Sequence, residues 1–129
     1  MEAILWKPCY CVGHCLIDRQ HQELVHLVNF MIQKVSEQCP KPVIDAILIK
    51  LINYAERHFT DEEEVMRTIN YPELEAHQKE HERLVMEVFN FKDAFDKGKV
   101  TKFDLLEFLK DWLLDHVINE DLRLKKYFL

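Results

Sequence analysis

Five of the seven histidines fall where a helix would bury them. Residues three or four apart share one helix face. On that spacing His21 precedes Leu24 and Val28, while His58 follows Leu51 and Ala55 and leads on to Glu62. His77 follows Leu74, His81 precedes Leu84, and His116 extends the series Leu105, Leu109 and Trp112. A single histidine on an apolar stripe is usually satisfied by a neighbouring hydrogen bond. Five imidazoles and a carboxylate aimed at one axis are different, because each would cost about 1–3 kcal/mol if buried without a partner. A metal ion removes that penalty by taking the ring nitrogens as ligands. Zinc uses about four donors, often thiolates, and this set holds more than one tetrahedral ion can use. Mixed imidazole and carboxylate donors suit iron or manganese, and a carboxylate can bridge two such ions.

Two other metal patterns fit less well. Ferritin-type di-iron bundles need Glu-x-x-His on two helices. Here Glu23 and His26 form that pattern once, and His26 is expected to face solvent. His77-Gln78-Lys79-Glu80-His81 matches the His-x-x-Glu-His of some zinc peptidases, with Glu80 as general base. That pattern leaves His21, His58 and His116 without a role and comes with no evident substrate cleft, so Glu80 is expected to be surface charge.

Side chains so spaced need helices to carry them. The two glycines and four prolines fall at Pro8 to Gly13, Pro40 to Pro42, Pro72 and Gly98, leaving uninterrupted segments 14–39, 43–71, 73–97 and 99–129. Each repeats apolar residues at helical spacing, such as Leu24, Val28, Met31 and Val35 in the first and Leu84, Val88, Phe91 and Phe95 in the third. Asp18 is placed to cap the first helix, Thr101 with Asp104 makes a capping-box pattern, and Glu73 and Glu75 suit a first turn after Pro72. Arg123, Lys125 and Lys126 suit the negative end of the last helix. The pattern predicts an all-α, up-down-up-down four-helix bundle, a single domain over residues 1–129. Trp6 and Tyr10 predict an ordered N-terminal arm packed on it.

Composition agrees with a globular domain: 129 residues, 48% hydrophobic and 31% charged. Seventeen Lys and Arg against twenty-three Asp and Glu give a net charge of −6 without a basic stripe, which argues against nucleic-acid and anionic-membrane partners. A basic leader and a long uncharged apolar run are both lacking, so a cytoplasmic location is expected. Cys9, Cys11, Cys15 and Cys39 read as reduced thiols. A monomer or weak oligomer is expected, and the residues identify no protein partner.

The constellation resembles the hemerythrins. His58-x-x-x-Glu62, His77-x-x-x-His81 and His116-x-x-x-x-Asp121, with His21 upstream, look like that family's ligand set. Trp6, Tyr10-x-Val12-Gly13, Ile17-Asp18-x-Gln20-His21, His58-Phe59-x-x-Glu62-Glu63-x-x-Met66, Tyr71-Pro72 and Phe108-Leu109-x-x-Trp112-Leu113-x-x-His116 resemble its bacterial single-domain branch. The resemblance implies two non-haem iron ions. His77, His81 and His116 would hold one and His21 and His58 the other, with Glu62, Asp121 and an oxo or hydroxo group as bridges. The iron with two histidines would keep an open position for reversible binding of O2, in a carrier, store or sensor rather than an enzyme. The same ligands would serve a di-iron protein that reduces nitric oxide or peroxide. Asp121 comes from the resemblance alone, since five residues past His116 it would point away from the axis unless a π-type turn or an oblique approach brought it in.

Reversible binding needs a dry pocket. Leu24, Leu84, Trp112, Leu113 and Val117 lie within a turn of the histidines and are expected to line it. His14 departs from the family pattern, which usually has an aliphatic residue there. It completes Cys9-x-Cys11-x-x-His14-Cys15, a conceivable second metal or redox site whose plainer reading is free thiols on an arm.

Overall fold

A computed structural model of the chain describes residues 1–117 and 121–128. Four helices, α1 (Cys15–Ser36), α2 (Lys41–Thr68), α3 (Leu74–Asp96) and α4 (Lys102–Asp115), form an up-down-up-down bundle. α2 packs between α1 and α3, and α4 closes the ring against α1 and α3. Among the described residues no helix is long and apolar enough to cross a membrane.

So few glycines suffice because other residues accept the left-handed turn. Three helices end with a residue at positive φ: Gln38 (60°) after α1, Asn70 (54°) after α2 and Gly98 (72°) after α3. In each, the next N–H returns to a carbonyl of the last turn, at 3.0 Å (Cys39 to Lys34), 2.9 Å (Tyr71 to Met66) and 2.9 Å (Lys99 to Ala94). That bond offsets the steric cost of positive φ at Gln38 and Asn70. The capping box at the start of α4 forms as expected, with Thr101 Oγ1 accepting from the Asp104 N–H and Asp104 accepting from the Thr101 N–H.

Two expectations about the ends need correction. Asp18 does not cap α1; His14 does, its Nδ1 accepting from the Ile17 N–H at 3.4 Å. Asp18 lies in the first turn, where its carboxylate accepts from the Val12 N–H (2.7 Å) and the Gly13 N–H (3.1 Å) and so ties the arm to the helix. Nor does the fourth segment continue as one helix. α4 ends at Asp115, His116 and Val117 widen into a π turn, and Asp121–Tyr127 form a separate 3-10 helix carrying Arg123, Lys125 and Lys126.

The arm is ordered, as Trp6 and Tyr10 predict. The Asn29 side chain accepts from the Ile4 N–H (2.7 Å) and donates to the Ile4 carbonyl (3.0 Å), so Ile4 pairs as if in a ladder. Trp6 and Tyr10 meet edge to face and pack on the main core. A smaller core of Val12, Ile17, Met66, Tyr71 and Leu124 lies beside the arm and the 3-10 helix.

Candidate metal centre

Each element delivers part of one buried cluster. α1 supplies His21, α2 His58 and Glu62, α3 His77 and His81, the π turn His116 and the 3-10 helix Asp121. All seven predicted residues are buried, with His21, His58, Glu62 and Asp121 at 0% exposure. They form two overlapping donor groups, each within 4.8 Å: His21, His58, Glu62, His116 and Asp121, and Glu62, His77, His81, His116 and Asp121.

Glu62 divides its two oxygens between the groups. Oε1 lies 2.7 Å from His77 Nε2 and 3.1 Å from His81 Nε2, while Oε2 lies 3.1 Å from His58 Nε2 and 3.5 Å from His21 Nε2. Asp121 does likewise, with Oδ1 3.1 Å from His77 Nε2 and Oδ2 at 2.5 Å from His21 and 2.8 Å from His116. The π turn at His116 and Val117 and the 3-10 helix that carries Asp121 depart from the pitch of α4, and Asp121 faces the same axis as His116.

These imidazole–carboxylate approaches are ion-pair contacts that leave several of the atoms without a hydrogen bond of good geometry. His21 Nδ1 and Nε2, His58 Nε2, Glu62 Oε2, His116 Nδ1 and Nε2 and both Asp121 oxygens are buried without a hydrogen bond, and every such side-chain atom among the described residues belongs to this cluster. Native interiors leave few polar atoms unpaired, and each calls for an explanation. A donor set of five imidazoles and two carboxylates with orphaned lone pairs fits metal ions, which supply what hydrogen bonds do not.

Titration behaviour follows from the packing. Burial pulls the His21 imidazole down, but Asp121 and then Glu62 more than reverse this and hold it up at about 10. Burial likewise opposes charge on His77, and the same carboxylates hold it up at about 10. His58 is raised against its burial by Glu62 and Asp121, whereas burial wins at His116, which is lowered. Burial resists ionisation of Glu62 and Asp121, yet the surrounding imidazoles hold both well below the usual carboxylate range.

The residues expected to line a dry pocket (Leu24, Leu84, Trp112, Leu113 and Val117) are all buried in the main core, and Trp112 Nε1 is satisfied by the Leu84 carbonyl at 3.1 Å. Three neighbours stand in the matching sequence motifs without a role assigned to them. Phe59 stacks on the His81 ring at 4.2 Å between centroids. Gln20 Oε1 lies 2.8 Å from His58 Nδ1, and Glu63 Oε2 lies 2.7 Å from His81 Nδ1. Adjacency was the available signal, since each sits next in sequence to a predicted residue.

Other motif residues lie elsewhere. His14 caps α1 with its ring against Phe128, and Cys9, Cys11, Cys15 and Cys39 are free thiols. Among the described residues His14 and the cysteines join no donor group. Glu80 is paired with Arg83 and His26 is exposed, as expected of surface charge and a solvent-facing histidine.

A family model, the hemerythrin HHE cation binding domain, matches residues 13–128. The bacteriohemerythrin of Clostridium acetobutylicum is 28% identical over 123 residues, covering 91% of this chain and 95% of that protein. The bacteriohemerythrin of Stenotrophomonas maltophilia is 26% identical over 122 residues, covering 94% of this chain and 78% of its own. A wild-type hemerythrin crystal structure is similar with a TM-score of 0.84 and 25% identity, covering 98% of each chain. The fold, the cluster and these relatives agree, and the chain belongs to the hemerythrin family, in its bacterial single-domain branch.

Proposed function

We propose that the chain binds O2 reversibly at a pair of non-haem irons, as an oxygen carrier, store or sensor and not as an enzyme. One observation carries this reading: Glu62 turns one oxygen to His77 and His81 and the other to His21 and His58, as a carboxylate shared by two ions would. His77, His81 and His116 would hold one iron and His21 and His58 the other, with Glu62 and Asp121 available to both. A ferrous pair in that setting supplies the two electrons that bound O2 takes up and returns.

The protein's own residues set the conditions. With His116 serving the His77–His81 side, the His21–His58 side would have one imidazole fewer and so room for a small ligand. Leu24, Leu84, Trp112, Leu113 and Val117 keep water away from it, and water and protons are what turn reversible binding into irreversible oxidation. Gln20 holds the His58 ring through Nδ1 and is itself held by Asp61 at 2.8 Å, which fixes the nitrogen that faces the carboxylates.

The test is stoichiometry. Protein reconstituted anaerobically with ferrous iron should hold two irons per chain, take up one O2 per pair, and release it under vacuum. Uptake of O2 without release would refute the reading.

A further inference from the structure

The second nitrogens of the imidazoles are treated unequally. His81 Nδ1 has a carboxylate behind it, Glu63 at 2.7 Å, whereas His58 Nδ1 has the amide oxygen of Gln20 at 2.8 Å. Among the described residues the Nδ1 atoms of His21 and His116 are buried without a hydrogen-bond partner. An imidazole donating from Nδ1 to a carboxylate has its tautomer fixed, with the Nε2 lone pair free, and the anion makes that nitrogen a stronger donor. His81 Nε2 is the atom that faces Glu62, at 3.1 Å. An amide fixes the tautomer equally well but carries no charge to pass on.

The surroundings reinforce the difference. Glu63 is 23% exposed and His81 3%, so the carboxylate stands at the boundary between solvent and cluster. Both line a groove of about 570 Å³ between α2 and α3. Phe59 covers one face of the His81 ring with an interplanar angle of 13°. Stacked on one face and hydrogen-bonded at one end, that ring has little freedom left to lose when a metal binds. Glu82 lines the same groove and makes no hydrogen bond to the cluster.

We infer that Glu63 is a positioning residue that, acting through His81, makes the His77–His81–His116 half the tighter metal site of the two. This rests on the two-metal reading above and adds an order to it: the two sites differ in affinity, and one carboxylate outside the donor set is the cause.

The test is a calorimetric titration of the metal-free protein with Co²⁺ alone, in wild type, E63Q, E63A and E82Q, with helicity checked in each. Wild type should bind two Co²⁺ in separated steps. E63Q keeps a hydrogen-bond acceptor of the same shape and removes the charge. It should weaken the tighter step by about 10–100-fold and leave the weaker step unchanged. E63A should lose at least as much, and E82Q should change neither step. Loaded with iron, E63Q should have a higher reduction potential than wild type, a readout that a purely structural role would not move. Equal weakening of both steps, or an E63Q titration identical to wild type, would overturn the inference. Fewer than two Co²⁺ bound by wild type would instead overturn the two-metal reading itself.

Discussion

Loading the metal-free protein with a divalent cation at pH 7.5 should expel at least about two protons per chain. The count comes from two imidazoles. His21 and His77 are each held up at about 10 by the carboxylates beside them. At pH 7.5 that leaves roughly 300 protonated rings for each neutral one, and a protonated Nε2 cannot be a ligand. His58 is raised by Glu62 and Asp121 and so can only increase the count; His116, lowered by burial, does not contribute. Glu62 and Asp121 are already ionised and release nothing. Each displaced proton changes affinity about tenfold per pH unit, so with one on each side the combined constant for two ions should rise about 100-fold per unit from pH 7 until the pH nears 10. Calorimetry with Co²⁺ in two buffers of different protonation enthalpy reads the number directly. Fewer than one proton per chain would refute the reasoning, because it would mean that the buried histidines are neutral beside two buried anions.

The same shifts fix the sign of a stability profile. Histidines with a raised folded-state pKa stabilise the metal-free fold fully below their ordinary value of 6.5, and that stability is lost as pH rises through about 10. The metal-free melting temperature should therefore fall between about pH 7 and pH 10, and bound metal should remove most of the slope. Glu62→Ala removes a carboxylate shared by both donor groups, and His58→Ala removes an imidazole that only one of them contains; metal analysis should find fewer than two irons in either. Phe59→Ala, at a site 4% exposed and stacked on His81, should cost about 3–5 kcal/mol in chemical denaturation. It should also speed irreversible oxidation of the loaded protein by admitting water. Asp18→Ala breaks both bonds to the arm and should lower stability by about 1–2 kcal/mol while iron content stays at two.

Periodicity is strongest where a residue continues an apolar stripe, which is why His21, His58, Glu62, His77, His81 and His116 are legible in the sequence. Asp121 is not. It reaches the axis from a 3-10 helix, after a π turn at His116 and Val117, and no helical wheel encodes that change of pitch. Asp18 shows a different limit. It has the right type and place for a cap, but competing donors at Val12 and Gly13 claim its carboxylate, and His14 caps in its stead. The roles of Glu63 and Gln20, though both stand in the matching motifs, are hidden for a third reason: a polar residue one step off the buried stripe looks like surface until a neighbouring helix supplies its partner.

Reversible O2 binding at two buried irons can be read from an optical spectrum. The iron-loaded protein is reduced without oxygen, exposed to O2 and degassed again. A visible charge-transfer band that appears with O2 and disappears on degassing, over repeated cycles, is the expected result. Direct conversion to a stable oxidised spectrum that degassing does not reverse would contradict it.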